Sequence, residues 1–348
     1  MPAMPHHGPR PLPLFLDLLH SETAASPEAR AAALAGLRAY QEAPRHRRRT
    51  ERPTIARQGR ASLRDIGGRG APVVFVPSLI NPPDVLDLAQ GNSLLGWLAE
   101  ERGLRTLMVD WGDPVTDERG RDIGDHVVEL LLPLLAELDE PPVLVGYCLG
   151  GTMAVAAAQI IGARGLALIA APWNFAGFGG GAAAMTALWA DAQPACDALG
   201  LVPIEVLQTG FWRLDPERTI AKFRRFGTLD PASDEARAFV ALEDWANAGA
   251  PLTYAAGQQL FERFIAVDDP GRGNWQVAGR TIAPAALDCP AIEFVSLTDR
   301  IVPAASAIGL AERHDLSAGH VGMVVGSRAR TQLWEPLADW LSDRAGPI

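Results

Sequence analysis

The octapeptide Val145-Gly146-Tyr147-Cys148-Leu149-Gly150-Gly151-Thr152, VGYCLGGT, follows an apolar run and opens an alanine-rich segment. A strand that turns sharply into a helix holds its corner residue in a strained conformation, where neighbouring side chains collide with sheet and helix. Glycine two residues before and two after the corner relieves that collision, and Gly146 and Gly150 stand there around Cys148. The stretch therefore reads as a nucleophile elbow with cysteine at its tip. Leu149 would open the helix and offer its backbone N–H to a developing oxyanion, while the helix N-terminus favours negative charge on the sulfur.

Outward from the elbow, short continuous apolar runs alternate with helical segments. The runs are Val73–Val76, Thr106–Val109, Val143–Val145, Leu166–Ile169 and Ile292–Val295. Such runs mark strands buried on both faces of a parallel sheet, with amphipathic helices near 92–102, 122–138 and 149–162 supplying the crossovers. The fold class is α/β: a mostly parallel sheet with helices on both faces, of the α/β-hydrolase type. About 120 residues separate the fourth run from the fifth, too many for a plain loop. They read as helical pieces broken by Gly and Pro, a cap over the carboxyl ends of the strands. Within them GFGGGAAA, 177–184, reads as a hinge, because it lacks the Lys-Ser/Thr ending of a phosphate loop.

The resulting division is an N-terminal extension 1–59, a core of 60–172 with 291–348, and a cap insertion 173–290. In the extension, residues 1–13 read as a disordered start. Ser26 before Pro27 and Glu28 reads as the N-cap of a helix to about Arg38, and 44–60 reads as a basic linker.

The chain has 348 residues, 48% hydrophobic and 21% charged, which is the balance of a folded globular protein. A net charge of −10 argues against nucleic acid as a partner, since phosphate binding needs clustered Lys and Arg. The run Arg45-His46-Arg47-Arg48-Arg49 is local and reads as a solvated turn. Cys148, Cys196 and Cys289 form no CxxC pair, so neither a structural zinc nor a disulfide framework is expected, and a reducing cytoplasm fits. The N-terminal apolar stretch is interrupted by Pro13 and Asp17, so neither a signal segment nor a membrane span is expected. No metal or other cofactor is implied.

A thiol nucleophile needs a base and an orienting acid, which follow the nucleophile in this order of elements as acid, then histidine. Only His314 and His320 lie beyond Cys148. His320, flanked by Gly319 and Gly322, suits a loop that delivers an imidazole to a cleft; His314 follows Glu312-Arg313 on a segment that reads as exposed. Asp299, just past the Ile292–Val295 run, is the acid, with Asp110 as its rival at the end of Thr106–Val109. The second oxyanion donor is expected from the loop after the first core strand, with Leu79 and Ile80 as candidates.

These residues resemble the polyhydroxyalkanoate synthases, whose G-x-C-x-G-G box is matched by GYCLGG. Four further segments agree: VPSLINPPDVLDLAQGNSLLGWLAEERG (76–103), VDWGDP (109–114), DRIVP (299–303) and AGHVGMVVG (318–326). The resemblance runs from about residue 60 to the C-terminus. It implies an acyltransferase that polymerises (R)-3-hydroxyacyl-CoA into polyester through an acyl-Cys148 intermediate, with CoA thioester as substrate rather than cofactor. His320 would activate the thiol and Asp299 would help activate the incoming hydroxyl. It also implies a homodimer or a second synthase subunit as partner, and the cytoplasm or the polyester granule surface as location. Where the family has His after the acid and Trp after the Pro, this chain has Arg300 and Ala304, and the long N-terminal domain of the larger synthases is missing. A thioesterase or an intracellular polyester hydrolase of the same fold is the alternative. Lys222-Phe223-Arg224-Arg225 offers cations for CoA phosphates.

Overall fold

The computed structural model describes residues 8–45 and 52–345. Its centre is an eight-stranded sheet built from β1 (Thr54–Gln58), β2 (Ala61–Gly67), β3 (Arg69–Val76), β4 (Leu104–Asp110), β5 (Val143–Tyr147), β6 (Gly165–Ile169), β7 (Ala291–Ser296) and β8 (Glu312–Leu316). The spatial order is β1-β2-β4-β3-β5-β6-β7-β8. From β4 onward every pairing is parallel, whereas β1 and β2 join antiparallel. β5 and β6 are buried along their whole length, as continuous apolar runs between two helical layers must be.

The five apolar runs fall in β3 to β7, and three strands go beyond them. β1 and β8 are edges, largely exposed and rich in polar side chains, TIARQ and ERHDL, and β2 mixes buried and half-buried positions. An edge strand carries charge to discourage further pairing, so it lacks the run that marks a central strand. The stretch read as a basic linker, 44–60, thus contains β1, and the sheet begins before residue 60. Of the Arg45–Arg49 run only Arg45 is described, and it pairs with Asp244 at 3.0 Å.

The helices used below are α1 (Leu12–Glu22), α2 (Pro27–Glu42), α3 (Leu94–Glu100), α4 (Leu149–Ile161), α5 (Gly180–Leu199), α6 (Ile204–Leu214), α7 (Pro216–Phe226), α8 (Asp234–Ala246) and α9 (Glu335–Ala345). Ser26 caps α2 by accepting from the Ala29 N–H, and the helix runs four residues past Arg38. α1 is a correction to the disordered start: Pro11 precedes the first turn and Pro13 lies within it, where proline fits a helix, and Phe15 and Leu19 are buried. Residues 1–7 of that start lie outside the described residues.

In the glycine stretch 177–184, α5 begins at Gly180, and a Cβ on Gly177 would lie 2.4 Å from the Ala305 backbone, so Gly177 packs tightly beside the loop that follows β7. α1 and α2 do not stand apart from the insertion. Phe15, Tyr40, Trp212, Phe223 and Phe226 share one apolar cluster, in which Phe15 and Phe223 meet edge to face at 5.0 Å.

Candidate active site

At the end of β5 the chain turns through Cys148 with φ 55° and ψ −132°, a conformation L-residues seldom adopt and one that costs about 1–3 kcal/mol. The corner is held from both sides: Cys148 N–H donates to Ile169 O at 3.0 Å, and Gly151 N–H donates to Cys148 O at 2.8 Å. The glycines are dictated by contact. A Cβ on Gly146 would lie 2.4 Å from Gly151 Cα, one on Gly150 would lie 2.2 Å from Val76 O and 2.4 Å from Pro77 O, and one on Gly151 would lie 2.3 Å from Ala171 Cβ. α4 starts at Leu149, so the helix N-terminus lies directly behind the thiol-bearing residue.

The loops after β7 and β8 bring Asp299 and His320 to the same end of the sheet. Asp299 is buried; its Oδ1 accepts from Ile301 N–H at 2.7 Å and Val302 N–H at 3.0 Å, and its Oδ2 lies 2.6 Å from His320 Nδ1. The two loops are tied together, because Ser296 Oγ donates to Ala318 O and Thr298 Oγ1 donates to Ser317 O at 3.1 Å. With Nδ1 on the carboxylate, the other ring nitrogen is left for Cys148, whose sulfur acts on His320. Burial disfavours the charged imidazole, but the Asp299 carboxylate, the Cys148 sulfur and the hydrogen bond to Asp299 outweigh it and lift His320 to about 10.

Tyr147 was not singled out in the sequence. Its ring stacks on His320 with centroids 5.1 Å apart at 25°, and its hydroxyl donates to the His320 carbonyl at 3.3 Å. Burial, with the nearby Cys148 and Asp299, raises its own pKa, so the phenol stays a neutral donor. Its signal was adjacency: the residue before the corner points to the opposite face of β5 from its neighbour, the face on which the histidine loop lies.

The loop after β3 is anchored at several points. Trp111 Nε1 donates to Pro77 O at 3.0 Å, Asn81 Nδ2 donates to Ala246 O at 3.1 Å, and Trp245 Nε1 donates to Pro82 O at 2.8 Å. Ile80 N–H donates to Ser78 Oγ at 3.0 Å and is therefore engaged, whereas Leu79 N–H has no acceptor among the described residues. Of the two loop candidates, Leu79 is the one with a donor to spare, while Ile80 is the one that lines the space beside Cys148 and Leu149.

The rival residues have other work. Asp110 pairs with Arg64 and accepts from Gly112 N–H at 3.1 Å, which makes it an anchor of the strand end. His314 sits exposed on β8 and stacks against Phe294. The 222–225 cluster is not a free row of cations, since Lys222 pairs with Glu243, Arg225 pairs with Glu235 and Phe223 is buried. Arg300 pairs with Asp215 at 2.8 Å, and Asp215 also caps α7, so the acid loop is tied to the insertion.

A cavity with about 60 Å³ of room opens beside the sulfur of Cys148. Its floor is Ile80, Cys148 and Leu149, and its walls come largely from the insertion, including Phe178, Met185 and Phe211. Among the described residues no group of His, Cys, Asp and Glu could hold a metal ion, and no helix is long and apolar enough to cross a membrane.

No protein-family model matches the chain. It is similar to the poly(3-hydroxyalkanoate) polymerase subunit PhaC of Haloferax mediterranei, 27% identical over 295 residues that cover 79% of this chain and 59% of that protein. The same-named protein of Haloarcula marismortui is 25% identical over 79% of this chain and 61% of its own length, and that of Synechocystis is 25% identical over 78% of each. The chain thus spans about three-fifths of the first two relatives. Among solved structures, a Bacillus megaterium epoxide hydrolase superposes with a TM-score of 0.53 at 13% identity, covering 83% of this chain and 99% of that one. A Paleococcus ferrophilus monoacylglycerol lipase gives 0.50 at 14% identity, covering 82% and 99%. The fold is that of the α/β-hydrolases, and the resemblance to the polyhydroxyalkanoate polymerases extends over nearly four-fifths of the chain.

Proposed function

We propose that this chain is an acyltransferase that polymerises (R)-3-hydroxyacyl-CoA through an acyl-Cys148 intermediate, with His320 as the proton carrier and Asp299 as its orienting acid. The observation that carries the reading is a cysteine on a strained strand-to-helix corner, at the same end of the sheet as an imidazole whose Nδ1 is fixed by a buried carboxylate. The similarity to the named polymerases supports the substrate class.

The sulfur attacks the thioester carbonyl, and the carbonyl oxygen takes up negative charge facing the Leu149 and Leu79 amides. The carbon–sulfur bond to CoA breaks, and the departing CoA sulfur receives the proton held on His320. In the second half the 3-hydroxyl of another acyl unit attacks acyl-Cys148. His320 takes the hydroxyl proton, the ester forms, and the Cys148 sulfur leaves as thiolate. Asp299 holds the imidazole in the required orientation and stabilises it when charged. The insertion covers the site and keeps water from competing with the hydroxyl.

The same three residues would serve hydrolysis if water reached the acyl-enzyme, and Arg300, bound to Asp215 where the polymerases have His, is the feature that favours that second reading. Incubating the purified protein with (R)-3-hydroxybutyryl-CoA separates the two. Polymerisation predicts CoA release matched by insoluble polyester; CoA release matched only by free 3-hydroxybutyrate identifies a thioesterase. Cys148→Ser should abolish transfer, because an alkoxide leaves an ester far less readily than a thiolate leaves a thioester.

A further inference from the structure

The cavity beside Cys148 differs from an ordinary ligand pocket in its chemistry. Such pockets usually pair apolar walls with a few convergent polar groups that fix the ligand. Here the lining is aliphatic and aromatic throughout, apart from the thiol itself. A polyester chain carries an ester carbonyl in every repeat, and each would be stranded without a donor, at a cost that burial in an apolar site does not return. The occupant must therefore be hydrocarbon, with its polar end at the sulfur.

One wall residue is out of place by every local rule. Gly210 lies in the middle of α6, on the same face as Leu207 and Phe211 at helical spacing, and all three line the cavity. An interior glycine weakens a helix relative to alanine, so it calls for a reason of space. A Cβ there would stand 3.3 Å from Cδ2 of Leu188, which lines the same cavity. An added side chain would therefore have to displace Leu188 or enter the cavity.

We propose that this cavity binds the saturated tail of the acyl group, that it favours tails of about six carbons or more over the four-carbon acyl group, and that Gly210 sets its width. The proposal rests on the acyltransferase reading for the thioester at Cys148, but the cavity's preference does not depend on turnover. A methyl branch reaches little of this apolar wall. Each further methylene drawn from water improves binding roughly fourfold until the space is full.

Two measurements test it. In the first, butyrate and octanoate are compared for protection of Cys148 in the full-length protein against iodoacetamide. The expected result is protection by octanoate at a concentration at least tenfold lower, and equal protection, or none, overturns the proposal. In the second, CoA release is followed from (R)-3-hydroxyacyl-CoAs of four, six, eight and ten carbons. Rates should rise at least tenfold from four to eight carbons, and Gly210→Leu should move the optimum toward four. Gly210→Ala, which favours the helix and narrows the cavity only slightly, should give a smaller shift in the same direction and guards against a leucine variant that fails to fold. A four-carbon optimum in the unaltered protein, or an unchanged profile in both variants, overturns the proposal. Selective protection by octanoate without CoA release from any thioester would leave the cavity assignment standing and remove the acyltransferase reading.

Discussion

At the scale of single residues, the elbow is a place where almost nothing can be added. Gly150→Ala puts a methyl group 2.2 Å from Val76 O and 2.4 Å from Pro77 O, both backbone, so the corner and the loop carrying Leu79 must move apart. The expected outcome is at least a hundredfold loss of acylation rate, read as CoA release, with a thermal midpoint lowered by several degrees. Tyr147 shows its role by contrast. Tyr147→Phe keeps the stack on His320 and removes one hydrogen bond, so its rate should stay within about fivefold of the original, whereas Tyr147→Ala frees the imidazole and should cost more than tenfold. His320, held near 10 by Asp299 and Cys148 against the opposing effect of burial, contributes stability that is complete below its unfolded value and is lost as pH rises through about 10. CoA release should fall over that same alkaline window as the proton needed by the leaving sulfur disappears. The placement of Cys148, His320 and Asp299 at one end of the sheet was legible because their types, order and glycine neighbours are what a thiol elbow with a histidine and an acid would require. Tyr147 was not legible, because nothing in one sequence says which loop will lie against its face of the strand.

At the scale of elements, the central strands announced themselves and the edges did not. β3 to β7 are apolar because both faces are covered; β1 and β8 face solvent and read as linker or loop until the sheet is seen. α2 was announced by its Ser26 cap, whereas α1 was hidden, since its apolar face is short and its partners lie almost two hundred residues away. α2 approaches α7 so closely that a Cβ on Gly36 would stand 1.8 Å from Phe223 O. Helix propensity alone favours Gly36→Ala by roughly 1 kcal/mol. Overlap with a backbone carbonyl costs more, typically about 1–3 kcal/mol, so the net change should be destabilising. Denaturant titration checks the sign: a lowered midpoint is expected, and a raised one would mean the two helices are not in contact.

At the scale of the whole molecule, the insertion is fastened to the site at several points and to the N-terminal helices behind it. α8 holds the loop after β3 through Ala246 O and Trp245, α7 holds the acid loop through Asp215, and Phe15, Leu37 and Tyr40 pack on the far side of the same helices. A second buried cluster braces the rear of the loop after β3. His126 Nδ1 donates to Asp122 O at 2.6 Å, and His126 Nε2 accepts from Arg60 Nη2 at 2.6 Å, while Arg60 is paired with Glu118 and Glu118 with Arg121. Burial, with the Arg60 and Arg121 charges, outweighs the Asp122 carbonyl and Glu118 and lowers His126 to about 4. A base depressed on folding takes up protons first in the unfolded chain, so stability falls as pH drops from about 6.5 toward 4, by roughly 1.5 kcal/mol between 6.5 and 5. Denaturation midpoints at those two pH values should show that loss, and His126→Gln, which cannot charge, should remove most of the slope.

The account turns on whether the sulfur at the corner of β5 takes the acyl group. Intact and peptide mass spectrometry after brief mixing with an (R)-3-hydroxyacyl-CoA answers this directly. The peptide bearing Cys148 should gain the mass of one or more hydroxyacyl units and lose that gain in His320→Ala. An unmodified Cys148 alongside released CoA, or an adduct confined to Cys196 or Cys289, would contradict it.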